Sequence, residues 1–272
     1  MSRATESGTS MALISKTGAA LEALALGGKK IIDHNAANQP RDMFFGSLLA
    51  PWPNRLAGGT YELGGQKYVA GKLDADSNAN HGLVFDREFE VVTSSQTEIT
   101  LGYQFGRDAG YPFKVRLEVR FELGESYLLV SATATNAGDS PAPFAIGFHP
   151  YFLAAEPFEL SGEFTSVIET DSQMLPAASR PIQGLSFSGG EIDSCYLGSK
   201  VATLKTSTHE LVVELEENLD HMMFYRPGRD LGESMLAIEP MSAPANAFAS
   251  EIERHLLEPS EARSYSFRIR TR

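Results

Sequence analysis

The chain of 272 residues contains 23 basic and 35 acidic side chains, which gives a formal net charge of −12 at pH 7. A surface of that sign repels phosphate backbones and anionic lipids, so we expect neither nucleic acid nor membrane partners. The length suits one large domain, since all-β domains of this size commonly fold as a single unit.

The chain shows no sign of export or membrane insertion. Its single cysteine, Cys195, cannot form an intramolecular disulfide bond, which favours a reducing compartment. The N-terminal residues M-S-R-A-T-E-S-G-T-S-M are polar and lack the apolar core of a secretory signal. No apolar run approaches the roughly 20 residues that cross a bilayer. We therefore expect a cytoplasmic protein, with a flexible segment over residues 1–10 and one domain over residues 11–272.

Alternation of apolar and polar residues dominates the chain and predicts β-strands. The first apolar run, A-A-L-E-A-L-A-L, is compatible with a short helix or with a strand. Next, Y-E-L-G-G-Q-K-Y-V (residues 61–69) predicts two short strands joined by a Gly-Gly turn. A further strand with aromatic residues is predicted over E-I-T-L-G-Y-Q-F (residues 98–105).

The clearest strand is V-R-L-E-V-R-F-E-L (residues 115–123), in which apolar residues alternate strictly with arginine and glutamate. This pattern indicates a strand with one buried face. Residues 127–136 alternate less cleanly, so we expect that strand to be covered on both faces. Because turn-forming residues separate the strands and helices do not alternate with them, the sequence predicts an all-β fold, either a large antiparallel sandwich or a barrel.

Several common active-site motifs are absent from the sequence. It contains no glycine fingerprint for a dinucleotide, no G-x-x-x-x-G-K-[ST] and no G-x-S-x-G nucleophile elbow. No two histidines have the short spacing of a metal site, so we expect no bound metal.

Polar residues next to rigid turns form four candidate elements. In the first, A-P-W-P-N-R-L-A-G-G, two prolines fix the backbone around Trp52 and present Asn54 and Arg55. An isolated arginine is usually solvated, but a rigid and partly apolar shelf suits a binding site better. In the second, N-A-N-H-G, His81 precedes a glycine and is either a simple turn residue or part of a site.

The other two elements each hold a titratable residue directly before a proline. In A-I-G-F-H-P-Y-F, Pro150 restricts the backbone of His149 to an extended conformation. In L-A-I-E-P-M, Glu239 ends an apolar run. A carboxylate there costs free energy unless it is paired or reactive, although a strand end that emerges into water is an alternative.

Together the four elements could act on a small polar substrate. The histidine and the carboxylate could serve as general acid and general base, while Arg55 and His81 hold hydroxyl groups. The aromatic residues that could stack on a sugar ring are Trp52, Tyr151 and Phe152.

These elements resemble, in order, those of the aldose 1-epimerase (galactose mutarotase) family. The resemblance rests on P-N-R-L-A-G-G-T-Y-E-L-G-G-Q-K-Y, N-H-G, G-Y-P-F, A-T-N-A-G-D-S-P-A-P-F-A-I-G-F-H-P-Y-F and I-E-P. It implies a large antiparallel β-sandwich of the galactose mutarotase type, with its site in an open groove on one face. It also implies interconversion of the α and β anomers of a free aldose, without a cofactor.

The resemblance further implies roles for individual residues. His149 corresponds to the general acid, which as an imidazolium would protonate the ring oxygen. Glu239 corresponds to the base, which as a carboxylate would deprotonate the anomeric hydroxyl. The remaining positions correspond to sugar-binding residues, namely Asn54, Arg55, His81 and, in E-I-D-S-C-Y, Asp193.

Three alternatives stay open at this point. A hexose-6-phosphate 1-epimerase would need further basic residues near N-H-G, and Arg87 is the candidate, although it lies further along the chain than expected. A non-catalytic carbohydrate-binding module could use the same fold, but the presence of both His149 and Glu239 counts against it. A metal-dependent enzyme is the third. The sequence sets neither the sugar nor the oligomeric state.

Overall fold

The computed structural model describes residues 1–5, 8–34, 44–227 and 235–272, and nearly all of their regular structure is β-strand. The strands are β1 Ser2–Thr5, β2 Gly8–Ile14, β3 Leu21–Leu26, β4 Lys29–Asp33, β5 Leu48–Leu49, β6 Arg55–Ala57, β7 Thr60–Leu63, β8 Gln66–Val69, β9 Asn78–Asn80, β10 Glu90–Ser94, β11 Glu98–Gln104, β12 Val115–Leu123, β13 Tyr127–Asn136, β14 Ala142–Pro143, β15 Gly147–Phe148, β16 Tyr151–Leu153, β17 Phe158–Gly162, β18 Ser166–Thr170, β19 Pro176–Pro181, β20 Leu185–Phe187, β21 Ile192–Leu197, β22 Val201–Thr206, β23 Glu210–Leu215, β24 His221–Arg226, β25 Met235–Met241, β26 Leu256–Leu257 and β27 Ala262–Thr271. A short helix, α1 (Ala247–Ser250), and a 3-10 turn (Ile252–His255) follow β25.

Two large antiparallel sheets form the body of the fold. The first has nine strands in the order β10-β11-β12-β13-β27-β23-β22-β17-β20. The second has eight, in the order β19-β18-β21-β24-β25-β15-β5, with β16 also paired to β25. Their inner faces meet in one core, where the rings of Phe148 and Phe267 lie 4.8 Å apart. The all-β, antiparallel sandwich expected from the sequence is confirmed.

Smaller units complete the architecture. Strands β1 to β4 form a four-stranded meander, and three two-stranded ribbons pair β14 with β26, β6 with β9 and β7 with β8. The ambiguous run A-A-L-E-A-L-A-L contains strand β3. Within the segment predicted to be flexible, residues 1–10, the structure places β1 and the start of β2. A single domain over residues 11–272 stays a prediction.

The Gly-Gly hairpin is present where the sequence predicted it. Gly64 and Gly65 join β7 to β8 with φ angles of +59° and +77°. A two-residue hairpin turn of this kind needs positive φ at both positions, which glycine adopts without steric cost.

Strand β12 has the predicted burial, with every second side chain buried. Strand β13 was predicted to be covered on both faces. In the structure its side chains alternate between buried and partly buried, so only one face is fully covered. The partly buried face includes the polar residues Ser131 and Thr133, which lie opposite Arg120 and Glu118 of β12 in the strand register.

Strand register in the second sheet gathers polar side chains on one face. Glu239 of β25 lies opposite Met223 of β24, and Tyr225 of β24 lies opposite Asp193 of β21. On the other side of β25, Tyr151 of β16 lies opposite Ala237. Since alternate residues of a strand share a face, these side chains all project to the same side of the sheet.

The β6–β9 ribbon supplies the opposite wall of the same region. Arg55 pairs with Asn80 across the ribbon, and the backbone N–H of His81 donates to the carbonyl of Asn54 at 3.0 Å. The segment that precedes the ribbon is linked to the segment that precedes β15 by the N–H of Ala145, which donates to the carbonyl of Pro51 at 2.7 Å.

Candidate active site

A cavity of about 220 Å³ lies between the ribbon and the face of the second sheet that carries Glu239. All six site residues predicted from the sequence line it, namely Asn54, Arg55, His81, His149, Asp193 and Glu239. The structure thus brings together residues from five separate segments of the chain. Their chemical roles stay proposals.

His149 and Glu239 form a buried pair at the centre of this cavity. Nε2 of His149 lies 3.4 Å from Oε1 of Glu239, and the two side chains are only 5% and 2% exposed. The backbone of His149 is held on both sides, since its N–H donates to Ser47 and its carbonyl accepts from Gly46. Its ring stacks on Tyr151 with centroids 4.8 Å apart. The imidazole of His149 is therefore held in a fixed position beside Glu239.

His81 is both a turn residue and a wall of the cavity. The backbone N–H of Asn54 donates to Nδ1 of His81 at 3.3 Å. A neutral ring that accepts at Nδ1 carries its hydrogen on Nε2, so His81 can donate one hydrogen bond from that atom. Burial lowers the pKa of His81 well below its usual value, and His149 and Arg55 lower it further. The ring therefore stays neutral.

Asn54 organises Arg55. Its side-chain oxygen accepts from the backbone N–H of Arg55 at 2.8 Å and from Nη1 of the same residue at 3.3 Å. Within the described part of the chain, Arg55 is the one lysine or arginine that lines the cavity. The side-chain amide of Asn54 thus positions Arg55, which carries the fixed positive charge of the site.

Three residues on the cavity wall have left-handed backbone conformations. The φ angles are +56° at Phe44, +56° at Asn54 and +60° at His81. Such conformations cost free energy for residues other than glycine and are enriched at functional sites. Their concentration around one cavity supports its assignment as the functional site.

Burial sets the protonation of the central pair. It raises the pKa of Glu239 well above its usual value, and Asp193 adds to this while Arg55 opposes it. It also lowers the pKa of His149 to about 3. Burial therefore disfavours both the imidazolium and the carboxylate that the family resemblance implies, and it favours the neutral forms of the two side chains.

Two tyrosines and an aspartate extend the polar wall. Burial raises the pKa of Asp193, an effect that Arg55 reduces. Burial and the nearby carboxyl groups of Glu239 and Asp193 also raise the pKa of Tyr151 and Tyr225. Both phenols stay protonated at neutral pH and can donate or accept hydrogen bonds.

Four buried polar atoms on the wall have no hydrogen-bond partner among the residues that the structure describes. They are Nε of Arg55, Oδ1 of Asn80, Nδ1 of His149 and Oε2 of Glu239. Leaving such a group unsatisfied costs about 1–3 kcal/mol. A ligand rich in donors and acceptors, such as a sugar, would relieve that cost.

The aromatic residues expected to stack on a sugar are only partly at the site. Tyr151 lines the cavity, whereas Trp52 is buried against Phe248 with ring centroids 6.0 Å apart. Phe152 is fully buried, and it faces the core because its neighbour in the strand faces the cavity. Trp52 and Phe152 are therefore core residues.

The sequence did not predict four of the lining residues, namely Phe44, Asn80, Met223 and Tyr225. Asn80 stands beside His81 in N-A-N-H-G, and that adjacency was an available signal. Met223 and Tyr225 are placed by register opposite Glu239 and Asp193, which no local pattern reveals.

Several alternatives lack support at this site. Among the described residues, no group of three or more histidine, cysteine, aspartate or glutamate side chains could hold a metal. Cys195 is buried, and burial raises the pKa of its thiol, so it is a poor nucleophile. Arg87 lies outside the cavity, with Nη2 3.5 Å from Asp108. No helix in the described ranges is long and apolar enough to cross a bilayer.

Sequence comparisons relate the whole chain to one family. The family model described as aldose 1-epimerase matches residues 3–270. The chain is 29% identical to the uncharacterized protein YihR of Escherichia coli K12 over 276 residues, which cover 95% of this chain and 89% of YihR. It is 26% identical to human galactose mutarotase over 157 residues, 53% of this chain and 44% of the human protein.

Solved structures show the same fold. The GalM/aldose epimerase homologue from Caenorhabditis elegans superposes with a TM-score of 0.81 at 17% identity, covering 100% of this chain and 98% of that one. A galactose 1-epimerase from Lactobacillus acidophilus gives a TM-score of 0.80 at 18% identity, covering 100% and 93%. The fold is galactose mutarotase-like, and the chain belongs to the aldose 1-epimerase family.

Proposed function

We propose that this protein interconverts the α and β anomers of a free aldose by opening and reclosing the sugar ring. The observation that carries the proposal is the buried contact of 3.4 Å between His149 and Glu239, which faces a polar cavity of about 220 Å³. A titratable pair with strongly shifted pKa values in a cavity is the usual signature of acid–base catalysis.

In the forward step, Glu239 removes the proton of the anomeric hydroxyl while His149 donates a proton to the ring oxygen. The bond between C1 and the ring oxygen breaks, the aldehyde forms, and rotation about the bond between C1 and C2 exposes its other face. Ring closure then reverses both proton transfers and returns the enzyme to its starting state.

The resting pair holds the protons that this step needs. Neutral imidazole with a protonated carboxyl has the same number of protons as imidazolium with a carboxylate. Transfer of the proton from Glu239 to His149 across their contact therefore prepares the acid and the base together. The raised pKa makes Glu239 a stronger base, and the lowered pKa makes His149 a stronger acid.

The remaining predicted residues hold the substrate. We assign His81 as a neutral donor through Nε2, Arg55 as a charged donor and Asp193 as an acceptor of sugar hydroxyls. Asn54 lines the cavity and also positions Arg55 and His81 through the hydrogen bonds described above.

A free aldose fits the site better than a 6-phosphate. Arg55 is the one lysine or arginine among the described lining residues, and two carboxyl groups, Asp193 and Glu239, line the same small cavity. A phosphate dianion there would meet insufficient positive charge. We further propose that the reaction needs no cofactor and takes place in the cytoplasm.

The test is an anomerisation assay by polarimetry on freshly dissolved α-D-glucose and α-D-galactose. The variant Glu239→Gln keeps the shape of the side chain and removes its basicity, so we expect a loss of about 10²–10⁴-fold in kcat. Circular dichroism and thermal melting serve as folding controls. Wild-type rates in this variant would overturn the proposal, and sugar binding without any anomerisation would favour a non-catalytic carbohydrate-binding protein.

A further inference from the structure

Aromatic contacts, more than hydrogen bonds, set the direction of the His149 ring. Nδ1 of His149 is buried and has no hydrogen-bond partner in the described part of the chain. Nε2 lies 3.4 Å from Oε1 of Glu239, which is longer than an ordinary N–H···O hydrogen bond. An active-site histidine is usually oriented by a hydrogen bond at the ring nitrogen that does not react. Within the described residues that bond is missing, so the ring of His149 takes its direction from the rings packed against it.

Three nearly parallel rings form a stack, namely His149, Tyr151 and Phe45. The centroids of His149 and Tyr151 are 4.8 Å apart, with 17° between the ring planes. Those of Tyr151 and Phe45 are 5.2 Å apart, with 8° between the planes. Ring pairs at these separations attract each other beyond the effect of the area that they bury. Tyr151 is therefore packed between the imidazole and the ring of Phe45.

Phe45 supports this stack from outside the cavity. It is 4% exposed and does not line the cavity, whereas its chain neighbour Phe44 does. The ring of His34 packs on that of Phe45 with centroids 4.6 Å apart. Phe45 can therefore influence the reaction through Tyr151 and His149, and not by contact with a bound sugar.

The backbone beside Phe45 is fixed to the segment that carries His149. The N–H of Gly46 donates to the carbonyl of His149 at 2.9 Å, and the carbonyl of Gly46 accepts from the N–H of Leu21 at 2.9 Å. A Cβ at Gly46 would collide with the carbonyl oxygen of Leu21, and the φ angle of +67° there also suits glycine. Backbone contacts thus hold Phe45 and His149 in place relative to each other, so the stack is preformed.

We propose that Phe45 is a positioning residue for the ring opening. By holding Tyr151 against the imidazole, it keeps His149 directed at the ring oxygen of the aldose. Misplacement of a reacting group by about 1 Å can lower a rate by about 100-fold. The residues assigned to substrate binding lie on other segments of the chain, so the loss of Phe45 should lower kcat and leave KM unchanged. This inference rests on the proposed function.

The experiment measures kcat and KM for α-D-galactose by polarimetry in three variants. Phe45→Leu removes the ring, Phe45→Tyr keeps it, and Phe121→Leu makes the first change at a buried position of β12 in the nine-stranded sheet. We expect Phe45→Leu to lower kcat by about tenfold or more, with KM within about twofold of the wild-type value. We expect Phe45→Tyr to keep kcat within about threefold of the wild type, and Phe121→Leu to change neither constant by more than about twofold.

Nuclear magnetic resonance gives a second readout that does not depend on activity. The ring current of Tyr151 should shift the carbon-bound ring protons of His149 upfield, and the variant His149→Asn identifies their signals. We expect these signals to move in Phe45→Leu, because the stack loosens, and to keep their positions in Phe121→Leu. If Phe45→Leu does not fold, Phe45→Met takes its place with the same expectations.

The outcomes distinguish this inference from the proposed function. An active wild type overturns the positioning role, and leaves the function standing, if Phe45→Leu and Phe121→Leu have equal kcat values or if a folded Phe45→Tyr loses kcat. If the wild type anomerises no sugar, the proposed function fails and the resonance measurement decides. His149 signals that move in Phe45→Leu alone then support the stack without the reaction, and unchanged signals overturn both.

Discussion

The imidazole of His149, between β15 and β16, lies 3.4 Å from the carboxyl group of Glu239 on β25, and both side chains are almost completely buried. Burial moves their pKa values in opposite directions, downward for the histidine and upward for the glutamate. Both shifts favour the neutral forms of the two side chains, and this has measurable consequences for rate and stability.

The profile of kcat/KM against pH should show no decline at the ordinary pKa of histidine. The pair gains a second proton only in acid, since the pKa of His149 is lowered to about 3. It loses its shared proton only at a pH well above the usual glutamate pKa. We expect kcat/KM, corrected for spontaneous mutarotation, to stay flat as the pH falls through 6.5, the ordinary histidine value. A decline centred near 6.5 would contradict the protonation state assigned to the pair.

Folding stability should depend on pH through the buried histidines. The pKa values of His81 and His149 are lowered on folding, so the unfolded chain binds more protons once the pH drops below about 6.5. Their contribution to stability is present above 6.5 and is lost as the pH falls toward the folded-state values. Each group can contribute a slope of up to about 1.4 kcal/mol per pH unit. In urea unfolding between pH 7 and pH 5, His149→Asn should lose less stability than the wild type, and an identical loss would refute this origin.

Asn54 should act by positioning Arg55 rather than by proton transfer. Removing its side-chain oxygen deletes two hydrogen bonds to Arg55, each worth about 1 kcal/mol. We expect Asn54→Gly and Asn54→Ala to lower kcat/KM for an aldose by about tenfold, mainly through KM, with an unchanged pH profile. A selective loss of kcat would argue instead for a direct chemical role.

The same position also provides a stability comparison. The φ angle of +56° at Asn54 suits glycine and disfavours alanine. We expect Asn54→Ala to be less stable than Asn54→Gly by about 1 kcal/mol in chemical unfolding. Equal stabilities would mean that the loop relaxes when the side chain is removed.

Phosphorylated sugars should be poor substrates. The guanidinium of Arg87 lies close to the carboxylates of Asp86 and Asp108, and a single arginine lines the candidate active-site cavity among the described residues. We expect kcat/KM for D-glucose 6-phosphate to be at least about tenfold below that for D-glucose, because one charge pair of this kind is worth about 1.4 kcal/mol or more. A preference for the phosphate that Arg87→Ala abolishes would instead establish the hexose-6-phosphate activity.

The sequence predicts those parts of the fold and site that depend on local chemistry. The strand alternation in residues 115–123, the Gly-Gly hairpin and the two residues restrained by proline all follow from neighbouring residues in the chain. The direction in which a side chain points is harder to predict from the sequence. Prolines fix the backbone around Trp52 but do not determine whether its ring faces the cavity or the core. Met223 and Tyr225 are set by pairing between strands, and no single strand carries that information.

The pairing of Met223 with Glu239 also makes the proposed reaction depend on the correct register between β24 and β25. A slip of one residue between β24 and β25 would present Ile238 or Pro240 to the cavity and direct the Glu239 carboxyl into the apolar interior. That misaligned sheet would lose its base and also carry a desolvated acid with no partner. The residue that we propose as the base therefore also destabilises the misaligned sheet, so a register without the base in the cavity is also an unstable one.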